Sequence, residues 1–491
     1  MNSSCKYTPE TLPRIICERH PEWVEIYDLA WKIGFGNIEY PQKEGWKPQL
    51  SCMPGAGIIW QWDSCFMTLF ARYANGAMPV TNNLDNLYRL QREDGYMSMA
   101  YKIENEKEAY GERINPPLFA WVEWEYFLVS GDDARFQKIM PILAKYYEWV
   151  KQHRRRISGL YWFEDTGSTG MDNSPRSGYA ALDLKGSDVC FIDLACQQAL
   201  SALYLAKMAA HLKDHARESY FLSEFETLRN LINAHHWSEK IGFFFDLFSM
   251  SSAGARHNFI NVKTAASFWA ILADVADDAQ VKKLIEHLLN PHEFWTPHPV
   301  ATLSADDPNY DPLGGYWLGG VWAPVNYMIA SGLKKRGWDA AARELAGKHL
   351  DAMCKVMKDE KYGGIWECYS PEFMRPATNK RKQFVRNNFV GWSGLGPIAM
   401  LIEHIFGLSF DAGTNTITWA IATPGKHGIQ NLRFNGRTVS LFCGAAGPDG
   451  RKISIRTSDA IRLRLSTVQK NGTELVRDLV QGDHDLTLPL T

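Results

Sequence analysis

Four loop segments concentrate tryptophan, glycine and carboxylates at a density that the helical stretches between them lack. The first, residues 54–63, ends in Trp60-Gln61-Trp62-Asp63 and leads into a helix. Two indoles can offer flat platforms to a ring, and Asp63 can accept hydrogen bonds from two adjacent hydroxyls. The same residues also fit a helix N-cap beside core tryptophans. The second, residues 165–176, holds Gly170-Met171-Asp172-Asn173-Ser174-Pro175-Arg176. Its composition is that of a loop, in which Asp172 would serve an Asx-turn. Met171 and Tyr161-Trp162-Phe163 could instead wall Asp172 with apolar groups and keep its carboxyl protonated for general-acid work. In the third, residues 311–324, Gly314, Gly315, Gly319 and Gly320 let backbone approach a ligand, with Tyr316, Trp317 and Trp322 as walls. The fourth pairs Trp366-Glu367-Cys368-Tyr369 with Gly391-Trp392-Ser393. A carboxylate between an indole and a phenol is costly unless it holds water or a cation, which makes Glu367 a general-base candidate. The alternative is a buried glutamate paired with Arg375 or Arg386.

Other chemistries find no footing. Asp306, Asp307, Asn309 and Asp311 lack the spacing, the turn glycine and the distal glutamate of an EF-hand, so a solvated loop is expected. His235-His236 has no third ligand at helical spacing and reads as a helix end. A nucleophile elbow, a phosphate-binding glycine loop with lysine and a dinucleotide fingerprint are all missing, so neither a metal nor a cofactor is expected. The nine cysteines are scattered without a C-x-x-C pair, as in a reduced cytosolic protein. Asn471-Gly472-Thr473 fits a glycosylation sequon that has no meaning in such a compartment. With 53 Lys and Arg against 55 Asp and Glu, the chain lacks the basic face that nucleic acid or an anionic membrane would require. No leader-like start and no membrane-length apolar run is visible, so a cytoplasmic location is expected. The 18 tryptophans are the unusual number, and Trp60, Trp62, Trp317, Trp322, Trp366 and Trp392 all fall in the four loops, which points to a neutral, ring-shaped partner: a small carbohydrate.

The elements that must position these loops are helices. Apolar periodicity predicts about twelve, starting near residues 22, 62, 80, 117, 133, 188, 214, 262, 278, 320, 337 and 389, with buried and amphipathic members tending to alternate. The 133–150 stretch carries a single apolar stripe, and Pro141 inside it should bend or restart the helix. The 188–208 stretch is apolar nearly all round and must be buried on every side. Six helical hairpins closing into a double ring, an (α/α)6 toroid over residues 1–407, would explain both the alternation and a helical unit larger than a simple core allows. Residues 408–491 change texture: β-type runs at 416–420, 438–443, 452–456 and 461–465, with turn signals between them, predict a small antiparallel β-sandwich of accessory role.

Together these loops resemble glycoside hydrolase family 63, especially its short bacterial members that cleave mannosylglycerate or glucosylglycerate, and more distantly the trehalases of family 37. The resemblance implies an (α/α)6 barrel that hydrolyses α-glycosidic bonds with inversion. It implies Asp172 as general acid, Glu367 as general base, and Trp60, Gln61, Trp62, Asp63, Gly170, Asn173, Arg176, Tyr316, Trp317, Trp322 and Trp392 as the surroundings of the sugar. The family glutamine that holds an acidic aglycone is replaced here by Asn115 of Asn115-Pro116-Pro117, and the family Tyr-Trp-Arg-Gly-Pro-Val-Trp reads Tyr316-Trp317-Leu318-Gly319-Gly320-Val321-Trp322. These departures argue against glycerate specificity while leaving acid and base intact. Two other readings of the loops are a sugar epimerase or isomerase on the same toroid, which would lean on histidines, and a non-catalytic sugar-binding protein.

Overall fold

The computed structural model describes residues 7–177, 188–248, 258–448, 450–467 and 474–489; Asp449 of Pro448-Asp449-Gly450, one of the turn signals between the β-type runs, and the Asn471-Gly472-Thr473 sequon lie outside them. Twelve helices lie among the described residues: α1 (Pro21–Gly36), α2 (Gln61–Ala71), α3 (Asn82–Arg89), α4 (Phe119–Ser130), α5 (Ala134–Arg154), α6 (Ile192–His211), α7 (His215–His235), α8 (Trp269–Leu272, prolonging a 3-10 turn), α9 (Asp278–Leu288), α10 (Ala323–Lys335), α11 (Asp339–Lys358) and α12 (Gly396–Ile405). None of them is long and apolar enough to cross a membrane.

Burial sorts them by parity. Every residue of α2 is buried, and α6, α10 and α12 are buried over most of their surface, whereas α5, α7, α9 and α11 bury one stripe. The buried set packs in sequence, α2 on α4, α4 on α6, α6 on α8, α8 on α10, α10 on α12 and α12 back on α2. Amphipathic neighbours cover this set from outside, α7 on α6 and α11 on α10. A helix that is apolar all round must be enclosed, and here the enclosure is the second layer of helices.

Two local expectations change. Pro141 does not end α5, which continues unbroken to Arg154; Phe136, Ile139, Met140, Leu143 and Tyr147 are buried along its inner stripe and hold the turn that lacks the proline's N–H. The helix expected from 188 begins at Ile192, because Val189 and Cys190 are drawn into a short ladder with Leu247 and Phe248. α12 is wound as a π-helix, a wide form found mostly at functional or irregular places.

The C-terminal region forms two sheets. One has the order β1 (Arg14–Cys17), β4 (His427–Phe434), β5 (Arg437–Gly447), β6 (Gly450–Thr457), β9 (Gly482–Leu488); the other has the order β2 (Leu408–Asp411), β3 (Thr416–Ile421), β7 (Ile461–Thr467), β8 (Glu474–Leu479). The strands are not all antiparallel as expected: β3 and β7 run parallel, Thr416 facing Arg462 through Ile421 facing Thr467. Parallel neighbours need a long crossover, and here the chain leaves after β3, builds three strands of the other sheet and returns. The first sheet also takes its edge strand, β1, from far upstream, Arg14 opposite Gln430. One apolar core runs from the helices into both sheets, and the Trp419 indole N–H reaches back 2.8 Å to the Phe406 carbonyl.

Candidate active site

The N-terminal ends of α2 and α10 and the loops around them line a cavity of about 510 Å³ open to solvent. A three-residue strand, Ile58–Trp60, pairs with Ala100–Lys102 and delivers Trp60 as the N-cap of α2, so that Trp62 and Asp63 occupy its first turn. Asp63 is therefore not the cap. Its carboxyl is buried, and burial raises its pKa to about 7, against the pull of a hydrogen bond with Cys52 and with a further push from the charges of Glu367 and Asp172.

The 165–176 loop lies across the indole of Trp62. Gly170 has φ +83°, and a Cβ there would stand 3.1 Å from the Trp62 ring, so glycine alone lets the loop sit this close. The turn is closed by Asp165, whose Oδ1 accepts from the Ser168 N–H, and not by Asp172. Asp172 projects to the cavity rim with 41% of its side chain exposed, and Lys380 Nζ lies 3.2 Å from its Oδ2. Asn173 ties this loop to the next, donating to the Gly315 carbonyl at 2.9 Å and accepting from the Trp317 N–H at 3.0 Å. Arg176 is fully buried, its guanidinium clasped by Asp193 and Asp246.

On the facing wall, Trp317 and Trp322 stack with ring centroids 4.1 Å apart and Tyr316 meets Trp322 edge-on. The glycines of that loop make room for protein and not for ligand: a Cβ on Gly320 would lie 2.2 Å from the Tyr316 carbonyl oxygen, and one on Gly315 2.7 Å from the Asp311 carboxylate. Tyr316 itself holds φ +71°, an uncommon value for a side-chain-bearing residue, and from there its hydroxyl donates to Glu367 Oε1 at 3.0 Å. The other oxygen of Glu367 accepts from the Arg386 N–H at 3.3 Å, and the Arg386 guanidinium stands 3.8 Å from Oε1. Glu367 is only 3% exposed, and burial raises its pKa although Arg386 and the Tyr316 hydroxyl pull it down. The Trp392 indole N–H donates to the Glu367 carbonyl at 3.1 Å and fixes its backbone.

The cavity wall thus includes Trp60, Trp62, Asp63, Asn115, Gly170, Asp172, Tyr316, Trp317, Trp322, Glu367 and Trp392. Gln61, Asn173 and Arg176 are not in that wall. Gln61 is buried, donating to the carbonyls of Asn115 and Pro116 and accepting from Tyr146. Asn115 lines the cavity and donates an amide N–H to the Ser168 carbonyl at 3.0 Å. Trp366 also stays out of the wall, its indole bonded to Gly363. Arg113, Asp165, Lys380 and Phe389 belong to the wall and escaped the sequence reading. The basic run Lys380-Arg381-Lys382 between the Glu367 and Trp392 segments was the available signal for Lys380, and Arg113 had none.

The carboxylates upstream of Tyr316 are held by lysines, Asp306 by Lys263 and Asp311 by Lys382 at 2.5 Å. Among the described residues one group, His20, Glu22 and Asp351, has metal-like proximity; none of the three lines the cavity.

Comparison with known proteins gives this arrangement a family. Residues 57–381 match the mannosylglycerate hydrolase MGH1-like glycoside hydrolase domain. The chain is 26% identical over 459 residues to an uncharacterized protein of Borreliella burgdorferi, covering 91% of this chain and 93% of that one. It is 26% identical over 224 residues to the mannosylglycerate hydrolase of Thermus thermophilus, covering 45% of this chain and 47% of that one. A probable mannosyl-oligosaccharide glucosidase of Schizosaccharomyces pombe is 23% identical over 361 residues, covering 67% of this chain and 42% of that one. The chain thus spans less than half of these last two relatives. Among solved structures, a family 63 mannosylglycerate hydrolase of Thermus thermophilus in complex with Tris and D-glycerate superposes with TM-score 0.58 at 18% identity, over 76% of this chain and 99% of that one. The neutral trehalase of Saccharomyces cerevisiae superposes with TM-score 0.55 at 15% identity, over 75% of this chain and 77% of that one; both share the toroidal helical fold. With two buried or rim carboxylates facing an aromatic cavity, and a family match over most of the helical region, the chain belongs to the MGH1-like domain of glycoside hydrolase family 63 and is a glycoside hydrolase.

Proposed function

We propose that this protein is an inverting α-glycoside hydrolase, of α-glucosidase or α-mannosidase type, acting on a small glycoside within an (α/α)6 toroid. The observation that carries the reading is that Asp172 and Glu367 line one cavity from two different loops, with stacked indoles between the loops that bear them. A sugar ring seated against Trp62 and the Trp317–Trp322 stack presents its hydroxyls to Asp63. Asp172 is the acid of the pair, giving a proton to the leaving glycosidic oxygen. Glu367 takes a proton from a water on the other ring face, and that water's oxygen forms the new bond to the anomeric carbon as the old bond breaks. Tyr316 and Arg386 favour the ionised form that a base needs. Lys380 occupies Asp172 on the open rim and yields its place to the substrate.

Room for the water requires a carboxyl separation of about 6.5–9.5 Å, against about 5 Å for a retaining pair. Asn115, shorter than the family glutamine, stands in the cavity wall in that residue's place, which supports a substrate other than a glyceryl glycoside. No histidine stands in the cavity wall among the described residues, which favours hydrolysis over ring-opening epimerisation. Incubation with a panel of α-glucosides and α-mannosides, with the first-formed anomer followed by NMR, tests the reading: the β-anomer is expected first. The α-anomer first would overturn inversion, and no cleavage of any member would overturn the substrate class.

A further inference from the structure

The carboxyl of Asp172 has little around it that could aim it. Among the described residues its one hydrogen bond or ion pair is with the exposed Lys380 ammonium, which the proposed reaction displaces. A general acid must nonetheless be held within about 0.5 Å of its productive place, and a displacement of about 1 Å can cost about 10²-fold in rate. The aim of Asp172 therefore has to come from its backbone. That backbone is held on both sides. Downstream, the Asn173 side chain is tied to Gly315 and Trp317. Upstream, the Thr166 hydroxyl donates to the Asp172 carbonyl at 2.9 Å and closes the loop across six positions of chain.

Thr166 is set in turn by its neighbours. Its carbonyl accepts from the Thr169 hydroxyl at 2.8 Å. One oxygen of the adjoining Asp165 accepts from the Ser168 N–H at 2.9 Å and from the Ser168 hydroxyl at 3.1 Å; the other meets the Arg113 guanidinium at 2.6 Å. Arg113 offers a firm base for this clasp, because its own carbonyl accepts from the Met99 N–H at 2.9 Å and from the Tyr96 hydroxyl at 3.0 Å. A continuous path thus runs from Arg113 through Asp165 and Thr166 to the backbone of Asp172. Stability does not account for the clasp. Arg113 and Asp165 are each 39% exposed, and an ion pair so open to water adds little to the fold. All three residues stand in the wall of the hydrolytic cavity, yet their polar groups are turned on one another and on the loop that carries Asp172.

We propose that Arg113, Asp165 and Thr166 are positioning residues that aim Asp172 at the leaving oxygen. The proposal rests on the assignment of Asp172 as the general acid. An alkoxide needs a proton in order to leave and a nitrophenolate does not, so the two kinds of glycoside separate the aim of the acid from sugar binding and from folding. The experiment measures kcat and KM on methyl and 4-nitrophenyl α-glucosides and α-mannosides for the parent, Thr166→Val, Arg113→Met and Asp172→Asn, with circular dichroism to check each fold. In Thr166→Val and Arg113→Met the ratio of methyl to nitrophenyl kcat is expected to fall at least about tenfold with KM within about twofold of the parent, and Thr166→Ser is expected to restore it. Asp172→Asn is expected to lower the same ratio by about 10²–10⁴. The proposal is overturned if either positioning variant keeps the parent ratio, slows both glycosides alike, as a structural role would, or changes KM alone. Should Arg113→Met fail to fold, Thr166→Val decides. A parent ratio kept by Asp172→Asn removes the acid assignment itself and the proposal with it, and absence of cleavage of all four glycosides by the parent removes the substrate class and the proposal together.

Discussion

Glu367 and Asp63 are both buried carboxylates, but their surroundings prepare them for different work. Glu367 has a hydroxyl and a guanidinium to stabilise its charge, so it can ionise in spite of burial. Glu367→Gln is expected to lower kcat by about 10²–10⁴-fold, the usual share of a general base, with the thermal midpoint little changed. Tyr316→Phe removes a hydrogen bond that favours the ionised form, so the acid limb of the kcat/KM profile should move to higher pH; a limb that stays in place or moves down would separate Tyr316 from Glu367's titration. Asp63 has a pKa of about 7 in the fold, well above that of an exposed aspartate. Between these two values the unfolded chain is ionised and the folded one holds the proton, so stability falls as pH rises and the full cost is present above about pH 7. That cost is roughly 4 kcal/mol at about 1.4 kcal/mol per unit. Asp63→Asn should therefore melt higher than the parent, with a gap that widens between about pH 4 and about pH 7 in a calorimetric series and is level above that.

Among the elements, the loop that presents Asp172 depends on anchors its own sequence does not reveal. Gly-Met-Asp-Asn-Ser-Pro-Arg was legible as a site because its composition is local, and the neighbouring tryptophans are local as well. The duties of its members were not legible, because Arg176 is answered by Asp246 seventy positions on and Asn173 by Gly315 and Trp317 in another loop. Both were read as sugar-binding and are found holding the fold. Arg176→Met leaves Asp193 and Asp246 buried and facing each other without a counter-charge. It should cost about 3–5 kcal/mol in urea unfolding, a range typical of breaking a buried ion pair, and reduce turnover by loosening the Asp172 loop. Many of the helices were legible for the opposite reason, since apolar periodicity is written within each segment: α2, α5, α7, α9 and α11 begin within one or two residues of the expected starts, whereas α6, α8 and α12 begin well after the 188, 262 and 389 expected for them.

For the whole molecule, the seam between helices and sheets was the least legible feature. Texture alone located the strands near 416, 438, 452 and 461, but nothing in residues 14–17 announces a partner at 427–430. The core that runs across the seam implies that the helical region is not self-sufficient. A chain ending at residue 407 is expected to be recovered as aggregate, with light scattering as the check, because Tyr73 and Trp124 would lose the cover that β2 helps to provide. Deletion of residues 1–20 should leave folded protein with an unpaired β4 edge and a concentration-dependent rise in mass.

The pairing of β1 with β4 also has a history on the ribosome. Gln430 is made long after Arg14, so at about 5–20 residues per second the first strand waits some 20–80 s for its neighbour. During that interval the helices between the two strands emerge, and β1 is a bare edge that a chaperone, or another nascent chain, can occupy first.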